Sequence, residues 1–489
     1  MSLDDFSGFV AYARQHFEEG LIRAGFVERD SGWCGVIAHP AGRTEVVVAL
    51  LSSFPFAPPR VVPVEPEKVP WSWHRELDGA LCLVADDDHQ DLWWMDAAAF
   101  VEHITAWFER SDAGWVDDRP DLDLDRYFEP ATDKRLYLYG NLDDYRDAFV
   151  RFVPAPNAAM RLSGKGTRPP KLAKKYSPGA FGYVALLGDV DRPPRDWEDI
   201  AARIDSKVDL DRRIREHAIS LVVLLYDRGE HEGAIVLEVW PTTAGGIEAR
   251  RLRAGADTAA AKSVRSGPHA AELSSCRVAV LGVGALGSFV ADMMIRSGVG
   301  HLTIVDDDIV MPGNLVRHLV GPEAVGLTKV AAVKRHLRMA YGLPDSVIDA
   351  RDEALRKGDA AIALLRDHDL VVNATADFAI TALLRKSAEA LDKRFLSAAI
   401  QNDGDTIRID VLPPLNNAVS LPDSTFPSNL PAAALFEAGC GSPISPTPPH
   451  AVVEAAAVTV RHAVGLLLGS PIHTSGEVRH LVPTLENTP

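Results

Sequence analysis

The sequence predicts an α/β protein with three folded parts: an N-terminal α+β domain, an α/β middle domain and a C-terminal domain built on a parallel sheet. Three observations lead to this prediction. From residue 277 onward, short apolar runs alternate with helical patterns, as in a parallel sheet covered by helices. The first of these runs enters a helical pattern through a glycine-rich turn. The first 115 residues instead show an amphipathic segment, alternating apolar and polar positions, and a proline cluster.

Length and composition exclude several classes of protein. The 489 residues are too many for one core, and 47% of them are hydrophobic, without a run of eighteen apolar residues or a basic, apolar leader. A cytoplasmic protein without a membrane partner is therefore expected. The formal charge of −17 disfavours non-specific binding to nucleic acid, so no nucleic-acid partner is expected. The four widely spaced cysteines argue against a disulfide framework or a zinc site.

The N-terminal elements follow from apolar spacing. A helix is expected over residues 6–24, a strand over 45–51, and a closing helix over 97–110 with Asp96 as its cap. The Asp-rich stretch 117–125 predicts a solvated linker, because clustered carboxylates repel one another and bury poorly. The predicted domains are 1–115, a linker at 116–130, a middle domain at 131–270, and 271–489.

The middle domain has no predicted task beyond that of a degenerate adenylation-like or linker domain. Its strand-like runs are residues 183–187, 220–226 and 234–239. The basic segment 164–175 is interpreted as a solvated loop.

The C-terminal domain opens with a nucleotide-site pattern. A strand at 278–281 leads into Gly282, Gly284 and Gly287 and then a helix, so backbone amides can face a phosphate. The next strand, 302–305, ends in three aspartates, of which Asp306 can accept a hydrogen bond from a ribose hydroxyl. These features suit NAD and ATP equally.

The residues that follow favour a triphosphate. Arg317 and Lys329 can offset the charge that develops when a carboxylate attacks the α-phosphate of ATP. Asp377, after the strand near 370, is a hard oxygen ligand suited to Mg²⁺. A dehydrogenase has no evident need for this basic set.

The order glycine loop, D-x-D, N-x-x-R and G-x-x-K over residues 282–329 resembles the ThiF/MoeB/ubiquitin-activating family. The resemblance implies a Rossmann-like adenylation domain that uses ATP and Mg²⁺ and forms a homodimer. It places Asp306 on the ribose, Asp377 on magnesium, and three residues on the phosphates, namely Asn314, Arg317 and Lys329. The predicted nucleotide-site residues are Gly282, Gly284, Gly287, Asp306, Asp308, Asn314, Arg317, Lys329 and Asp377.

Two cysteines are candidate acyl carriers. Cys440 lies in a glycine-flanked segment before a helical, Ala/Val-rich stretch, in the region where relatives of this family carry a cysteine before their last helix. Cys34 and Cys276 are interpreted as packing residues.

Near the N-terminus, F-P-F-A-P-P at 54–59 precedes His74, then G-A-L-C-L ending beyond Cys82, then two tryptophans. This order resembles ubiquitin-conjugating domains and implies that Cys82 is a thioester cysteine with His74 nearby. Arg75 and Glu76 stand where that pattern has proline and asparagine.

Together these parts resemble bacterial fusions of conjugating-like and activating-like enzymes, as in CBASS-type anti-phage operons. The resemblance implies adenylation of a protein C-terminus, a thioester on Cys440, transfer to Cys82 and ligation to a lysine amine of a target. The acyl donor would be a ubiquitin-like protein or a cGAS/DncV-like nucleotidyltransferase.

Three alternatives stay open at the level of sequence. The glycine loop suits an NAD-dependent oxidoreductase, and the adenylation chemistry suits a sulfur-carrier adenylyltransferase. The missing asparagine after His74 suits a non-catalytic scaffold that only binds a partner.

Overall fold

The computed structural model describes most of the chain as two compact units, Met1–Thr258 and Ala259–Pro489. The residues it describes are 3–84, 92–115, 123–167, 179–204, 206–228, 231–423 and 445–481. Within this division, the predicted boundaries at 115, 130 and 270 stay predictions.

The first unit begins with a helix, an antiparallel meander of four strands and a second helix. In chain order these are α1 Leu3–Arg23, β1 Val27–Arg29, β2 Gly32–His39, β3 Gly42–Ala49, β4 Arg60–Pro63 and α2 Ala97–Asp112. α1 buries Phe17 and Leu21, which are four residues apart and so share one face. The Asp96 carboxylate accepts from the amides of Ala98 and Ala99, which confirms the predicted cap.

The rest of the first unit is a mixed sheet of eight strands with two short helices. In chain order the elements are β5 Leu136–Tyr139, β6 Ala148–Ala155, β7 Ala159–Lys165, β8 Ala180–Asp189, α3 Trp197–Arg203, α4 Leu210–Arg215, β9 Leu221–Arg228, β10 His231–Pro241, β11 Ile247–Arg251 and β12 Arg253–Ala256. The strand order is β11-β10-β9-β8-β6-β7-β5-β12. The three predicted strands of the middle domain are confirmed as parts of β8, β9 and β10.

This sheet closes on itself. β11 and β12 lie at opposite ends of the strand order, yet only Leu252 separates them in the chain. One bent strand therefore pairs with β10 through its first half and with β5 through its second half. Phe152, Val223 and Val236 belong to one buried cluster of the sheet, and the cluster that includes Val222, Leu224 and Leu237 also contains residues of α3 and α4. We call this closed sheet, β5 to β12, the barrel.

Residues 123–130 of the predicted acidic linker are partly buried, whereas a solvated spacer was predicted. Leu124, Tyr127 and Phe128 are buried in the cluster that also covers the barrel. The physical reason is that apolar residues alternate with the aspartates here, and their burial outweighs the charge of Asp123 and Asp125, which stay exposed. Residues 116–122 of that linker lie outside the described residues.

The second unit has the predicted parallel sheet covered by helices. Its elements are α5 Ala259–Ser263, α6 Ala270–Leu273, β13 Arg277–Leu281, α7 Ala285–Arg296, β14 His301–Val305, α8 Lys329–Tyr341, β15 Ile348–Arg351, α9 Gly358–Asp367, β16 Leu370–Asn373, α10 Phe378–Leu391, β17 Phe395–Gln401, β18 Thr406–Leu412, α11 Pro449–Leu467 and β19 Gly476–His480. The strand order is β15-β14-β13-β16-β17-β18-β19, with the first five parallel.

The strand order fixes where a ligand would bind. The chain moves outward from β13 through β14 to β15 and then returns to place β16 on the other side of β13. In open α/β sheets, ligands bind at such a reversal, beyond the carboxyl ends of the strands. The loops after β13 and β16 meet at this point.

One helix, α11, is long and apolar enough to pass as a membrane span by length and composition. Half of its most apolar 18-residue window is buried inside the structure. Ala455, Ala456 and Ala463 are fully buried in the main core cluster of the second unit. A core helix of a folded unit passes the same test, and α11 has that position here.

Candidate functional site

The loop after β13 can be built only with glycine at two of its positions. Gly282 has a φ of +76°, and a Cβ there would lie 2.9 Å from the backbone of Thr375 in the loop after β16. A Cβ on Gly287, in the first turn of α7, would lie 1.8 Å from the carbonyl oxygen of Gly282. The glycines therefore permit the tight turn that brings the backbone to the N-terminus of α7.

Asp306 braces this loop from the end of β14. Its Oδ2 accepts from the amide of Val283 at 2.8 Å, and its Oδ1 accepts from the amide of Asp308 at 3.0 Å. Burial raises the pKa of Asp306, although the nearby Lys329 charge and the two amides oppose that change. The carboxylate that the sequence assigns to a ribose thus also holds the glycine loop in place.

Lys329 reaches the same place from the first residue of α8. Its Nζ donates to Asp308 Oδ2 at 2.6 Å, and its side chain is 13% exposed. The position that a Cβ would take on Gly284 is 3.9 Å from Lys329 Nζ. Burial tends to raise the pKa of Asp308, but the Lys329 hydrogen bond and charge, together with the amide of Ile309, outweigh burial and the pKa is lowered. The structure therefore brings the predicted lysine to the glycine loop.

His318 is a residue of this site that the sequence analysis did not select. Its Cε1 is 3.9 Å from the Cβ position of Gly284. Burial, followed by the charges of Lys329 and Arg317, lowers the pKa of His318 to about 4. The imidazole is therefore neutral at pH 7, chiefly because it is buried and further because Lys329 and Arg317 are nearby cations. Its place directly after Arg317 in the N-x-x-R motif was the available signal.

The N-x-x-R segment and the two residues after it, 314–319, are held by hydrogen bonds at three points. Asn314 Oδ1 accepts from the amide of Met311 at 2.9 Å, so this side chain caps its own turn. Arg317 Nη1 donates to the carbonyl of Ser445 at 2.7 Å. The buried Ser288 of α7 accepts from the amide of Leu319 at 3.2 Å, which ties the segment to the helix behind the glycine loop.

Asp377 caps a helix, a role that the sequence analysis did not assign. Its Oδ1 accepts from the amides of Ala379 and Ile380 at the start of α10. Within the described residues, no group of three or more His, Cys, Asp or Glu side chains is placed to hold a metal. A single carboxylate still fits Mg²⁺ in a nucleotide site, because that ion is held by one or two carboxylates together with substrate phosphates.

The arrangement suits a phosphate-bearing ligand. Helices α7 and α8 both begin at this edge, with the positive ends of their dipoles toward it. The N-terminus of α7 has no side-chain cap, so its first backbone N–H groups can face a ligand. Lys329 and Arg317 add two positive charges, and His318 adds none at pH 7. These features together favour an anion above the glycine loop.

The two N-terminal candidates, His74 and Cys82, lie on a short antiparallel hairpin. The amide of Cys82 donates to the carbonyl of His74 at 3.0 Å, and Arg75 pairs with Leu81. His74 is therefore directly opposite Cys82, and the two side chains point to the same face. The His74 ring stacks on Trp115, with ring centroids 3.6 Å apart. We call residues 74–82 the thiol hairpin.

Cys82 is half-buried and lines an open groove of about 460 Å³. The proline-rich segment forms one wall with Pro58, Pro59 and Arg60. Arg126 and Glu129, from within the predicted linker 116–130, also line the groove. Two ion pairs border it, between Arg60 and Asp78 and between Arg126 and Glu76.

The other cysteines are placed differently. Cys440, the predicted first acyl carrier, lies outside the described residues. Cys34 is buried in β2, and Cys276 is half-buried just before β13. Burial raises the pKa of the Cys276 thiol, which makes it a poor nucleophile at neutral pH.

Comparison with known proteins supports the interpretation of the second unit. Residues 259–470 match the model of the ThiF family. The chain is 28% identical over 160 residues to the ATP-dependent ubiquitin transferase-like protein Cap2 of Escherichia coli, covering 32% of this chain and 26% of that protein. It is 35% identical over 135 residues to the adenylyltransferase and sulfurtransferase MOCS3 of Anopheles gambiae, covering 27% of this chain and 30% of that protein.

Both matches span less than a third of the relative's own length. Among solved structures, Escherichia coli MccB with ATP has a TM-score of 0.32 and 15% identity, covering 45% of this chain and 68% of that one. The family match and the strand order together show that the second unit contains a ThiF-type, Rossmann-like domain.

Proposed function

We propose that the second unit binds ATP at the glycine loop and adenylates the C-terminal carboxylate of a peptide or protein. The observation that carries this proposal is the position of the Lys329 ammonium group beside Gly284, with Arg317 and the helix N-termini at the same edge. An NAD site needs the glycines and one acidic residue but has no evident use for this lysine. The match of residues 259–470 to the ThiF family supports the same choice.

The proposed first step is an attack of the carboxylate oxygen on the α-phosphorus of ATP. A new oxygen–phosphorus bond forms, the bond to the bridging oxygen breaks, and pyrophosphate leaves. Lys329 and Arg317 offset the negative charge that develops on the phosphates. Asp306 keeps the glycine loop in position and offers its remaining lone pairs to the ribose. Asp377 would hold Mg²⁺, which when bound neutralises phosphate charge.

The proposed later steps use the two thiols in turn. The Cys440 thiolate attacks the acyl carbon of the adenylate and AMP leaves. The Cys82 thiolate then attacks the resulting thioester, the bond to the Cys440 sulfur breaks, and the Cys440 thiolate leaves. A lysine amine of a target then displaces Cys82 and forms an amide, which releases the thiolate. The similarity to Cap2 supports this relay, because that protein is named as a ubiquitin transferase-like protein.

The proposed partners follow from this chemistry. The donor is the exposed C-terminal tail of a ubiquitin-like protein or of a cGAS/DncV-like nucleotidyltransferase, and the acceptor carries a lysine. A homodimer, a cytoplasmic location and a role in anti-phage defence complete the proposal.

A second candidate function is sulfur transfer after adenylation, favoured by the similarity to MOCS3. Both functions begin with an acyl adenylate, and they differ in what attacks it. In sulfur transfer a persulfide sulfur ends on the donor as a thiocarboxylate. In the relay the donor becomes covalently attached to this chain.

The test is intact-protein and peptide mass spectrometry of the purified chain with ATP, Mg²⁺ and donor proteins encoded beside it. The relay predicts a thiol-sensitive adduct on the wild-type chain. The C440A variant should release pyrophosphate but form no adduct on either thiol, whereas C82A should retain the adduct on Cys440.

The matched control for both substitutions is C34A, which removes a buried cysteine and should behave as wild type. A donor that gains sulfur, with no adduct on the chain, would favour the second candidate. Absence of ATP consumption with every donor, together with reduction of NAD, would exclude both.

A further inference from the structure

The two residues that flank His74 in the sequence, Trp73 and Arg75, are both buried. Trp73 is 6% exposed and Arg75 only 2%. A fully buried arginine needs an explanation, because arginine side chains are almost never buried without partners. Arg75 also stands where the conjugating-domain pattern has a proline, so that pattern does not account for it.

Arg75 cross-links the thiol hairpin to the segment before it. Its Nη2 donates to the carbonyl of Gly79 at 2.7 Å and to that of Pro66 at 3.3 Å. Its Nη1 donates to the carbonyl of Val69 at 3.1 Å. Burial, and then the charge of Arg195, lowers the pKa of Arg75 to about 10, which still leaves it charged at pH 7. The Arg75 side chain thus links the carbonyls of Pro66 and Val69, before the hairpin, to that of Gly79, three residues before Cys82.

Trp73 attaches the other flank of His74 to the barrel. Its indole Nε1 donates to the carbonyl of Asp191 at 2.8 Å, in the loop after β8. The hydroxyl of Tyr127 donates to the carbonyl of Trp73, and the two rings meet edge to face with centroids 5.2 Å apart. Trp71 repeats the pattern with a bond from its indole to the carbonyl of Pro193 at 3.0 Å.

These contacts fix the residues on either side of His74, whose carbonyl oxygen is hydrogen-bonded to Cys82. The carbonyl of His74 accepts from the amide of Cys82, and His74 is covalently bonded to both anchored residues. Movement of either anchor would therefore move the opposite strand of the hairpin and the thiol on it. The barrel, which the sequence left without a task, supplies one of the two anchors through Asp191.

We propose that Arg75 and Trp73 are positioning residues for Cys82, and that the barrel serves the thiol site by holding the hairpin through Trp73. This inference rests on the proposed role of Cys82 as an acyl carrier. Both residues act through the carbonyl of His74, which accepts from the amide of Cys82. We call the hydrogen bonds from these two side chains to backbone carbonyls the clamp. The clamp contains no further reactive group.

Hydrogen–deuterium exchange of the full chain tests the clamp directly. In R75Q, the amide of Cys82 should exchange about 10- to 100-fold faster than in wild type, because charge-assisted bonds to buried carbonyls are lost. In R75K, which keeps the charge and can reach one carbonyl, much of the protection should return. The control R29Q removes an exposed arginine of the same unit that pairs with Glu45, and should leave the hairpin unchanged.

The W73F variant tests the role of the barrel. It keeps an aromatic ring but removes the bond to Asp191, so exchange should accelerate in the thiol hairpin and in residues 190–195 together. Amides of β2 and β3 should keep their wild-type rates in every variant. This pattern separates a local clamp from general loss of stability, and W73F remains informative should R75Q fail to fold.

The functional measurement is the yield of adduct on Cys82 relative to Cys440. R75Q and W73F should lower the Cys82 adduct at least tenfold and leave the Cys440 adduct unchanged. Wild-type protection of the Cys82 amide in both variants would overturn the inference, as would equal acceleration throughout β2 and β3. Loss of protection with no adduct on Cys82 in wild type would instead refute the acyl-carrier role and leave the clamp standing.

Discussion

Replacement of Lys329 by alanine is the perturbation that most directly tests the nucleotide site. Lys329 is the one predicted phosphate contact whose ammonium group lies beside the glycine loop, 3.9 Å from the Cβ position of Gly284. A hydrogen bond from a charged group is worth about 1.5–3 kcal/mol. ATP must first displace Asp308, whose side chain is 60% exposed, and an ion pair that is open to water on one side offsets roughly 0.5 kcal/mol.

The expected net loss of ATP-binding free energy in K329A is therefore about 1–2.5 kcal/mol, which corresponds to a roughly 5- to 70-fold higher dissociation constant for ATP. The helix itself should be unaffected, because alanine is a good helix former and the cap at Thr328 remains. The loss should be smaller for AMP than for ATP, since AMP lacks the two outer phosphates.

Equilibrium dialysis with labelled ATP measures this change without any acyl donor. The matched control is K334A, which removes another lysine of α8. The Lys334 side chain is 24% exposed and pairs with the exposed Asp345. Wild type and K334A should bind ATP equally. ATP binding by K329A within twofold of wild type would refute the assignment, and so would displacement of ATP from wild type by micromolar NAD.

Three further predictions concern the same unit. G287A should abolish ATP binding, because the new Cβ would lie 1.8 Å from the carbonyl oxygen of Gly282. The control G358A, where a Cβ would meet nothing within 4 Å, should bind ATP as wild type does. ATP binding by G287A in equilibrium dialysis would contradict this prediction. Burial and two cations lower the pKa of His318 to about 4, so between pH 6.5 and 4 this residue binds a proton in the unfolded chain but not in the folded chain. The free energy of unfolding should therefore fall by up to about 3 kcal/mol as the pH is lowered from 6.5 to 4. The thermal midpoint of H318Q should therefore fall less than that of wild type between pH 7.5 and 5, and parallel falls would count against this account. D377N should keep the α10 cap, since asparagine caps as well as aspartate, but should lower the dependence of ATP binding on Mg²⁺; an unchanged Mg²⁺ titration would remove Asp377 from the metal site.

The nucleotide fold could be predicted from sequence because its signals are local. A strand, a glycine turn and a helix occupy twenty consecutive residues, and each obeys a short-range rule of backbone conformation or apolar spacing. Gly282 and Gly287 are required by the turn itself, as their close backbone contacts show. The cap at Asp96 and three strands of the barrel, β8, β9 and β10, were predictable for the same reason.

Local rules did not predict the closure of the barrel or the burial of residues 124–128. Strand pairing joins segments that are far apart in the chain, and period-two patterns carry no information about which strand is the neighbour. The aspartates around Leu124 and Tyr127 favoured a solvated linker, but the apolar side chains between them had a surface to bury against.

What the sequence determined by itself is the strand–turn–helix fold at the end of β13 and the candidate residues of its site, because the glycines, the acidic residues and the basic set occur in one short stretch. Only the tertiary structure decided that Lys329 contacts Asp308, that burial and two nearby cations lower the pKa of His318, and that Arg75 of the thiol hairpin is buried. In a sequence, Arg75 is indistinguishable from a surface charge. Its role arises from carbonyl groups that long-range packing gathers around it, and their hydrogen bonds compensate the cost of removing the guanidinium from water.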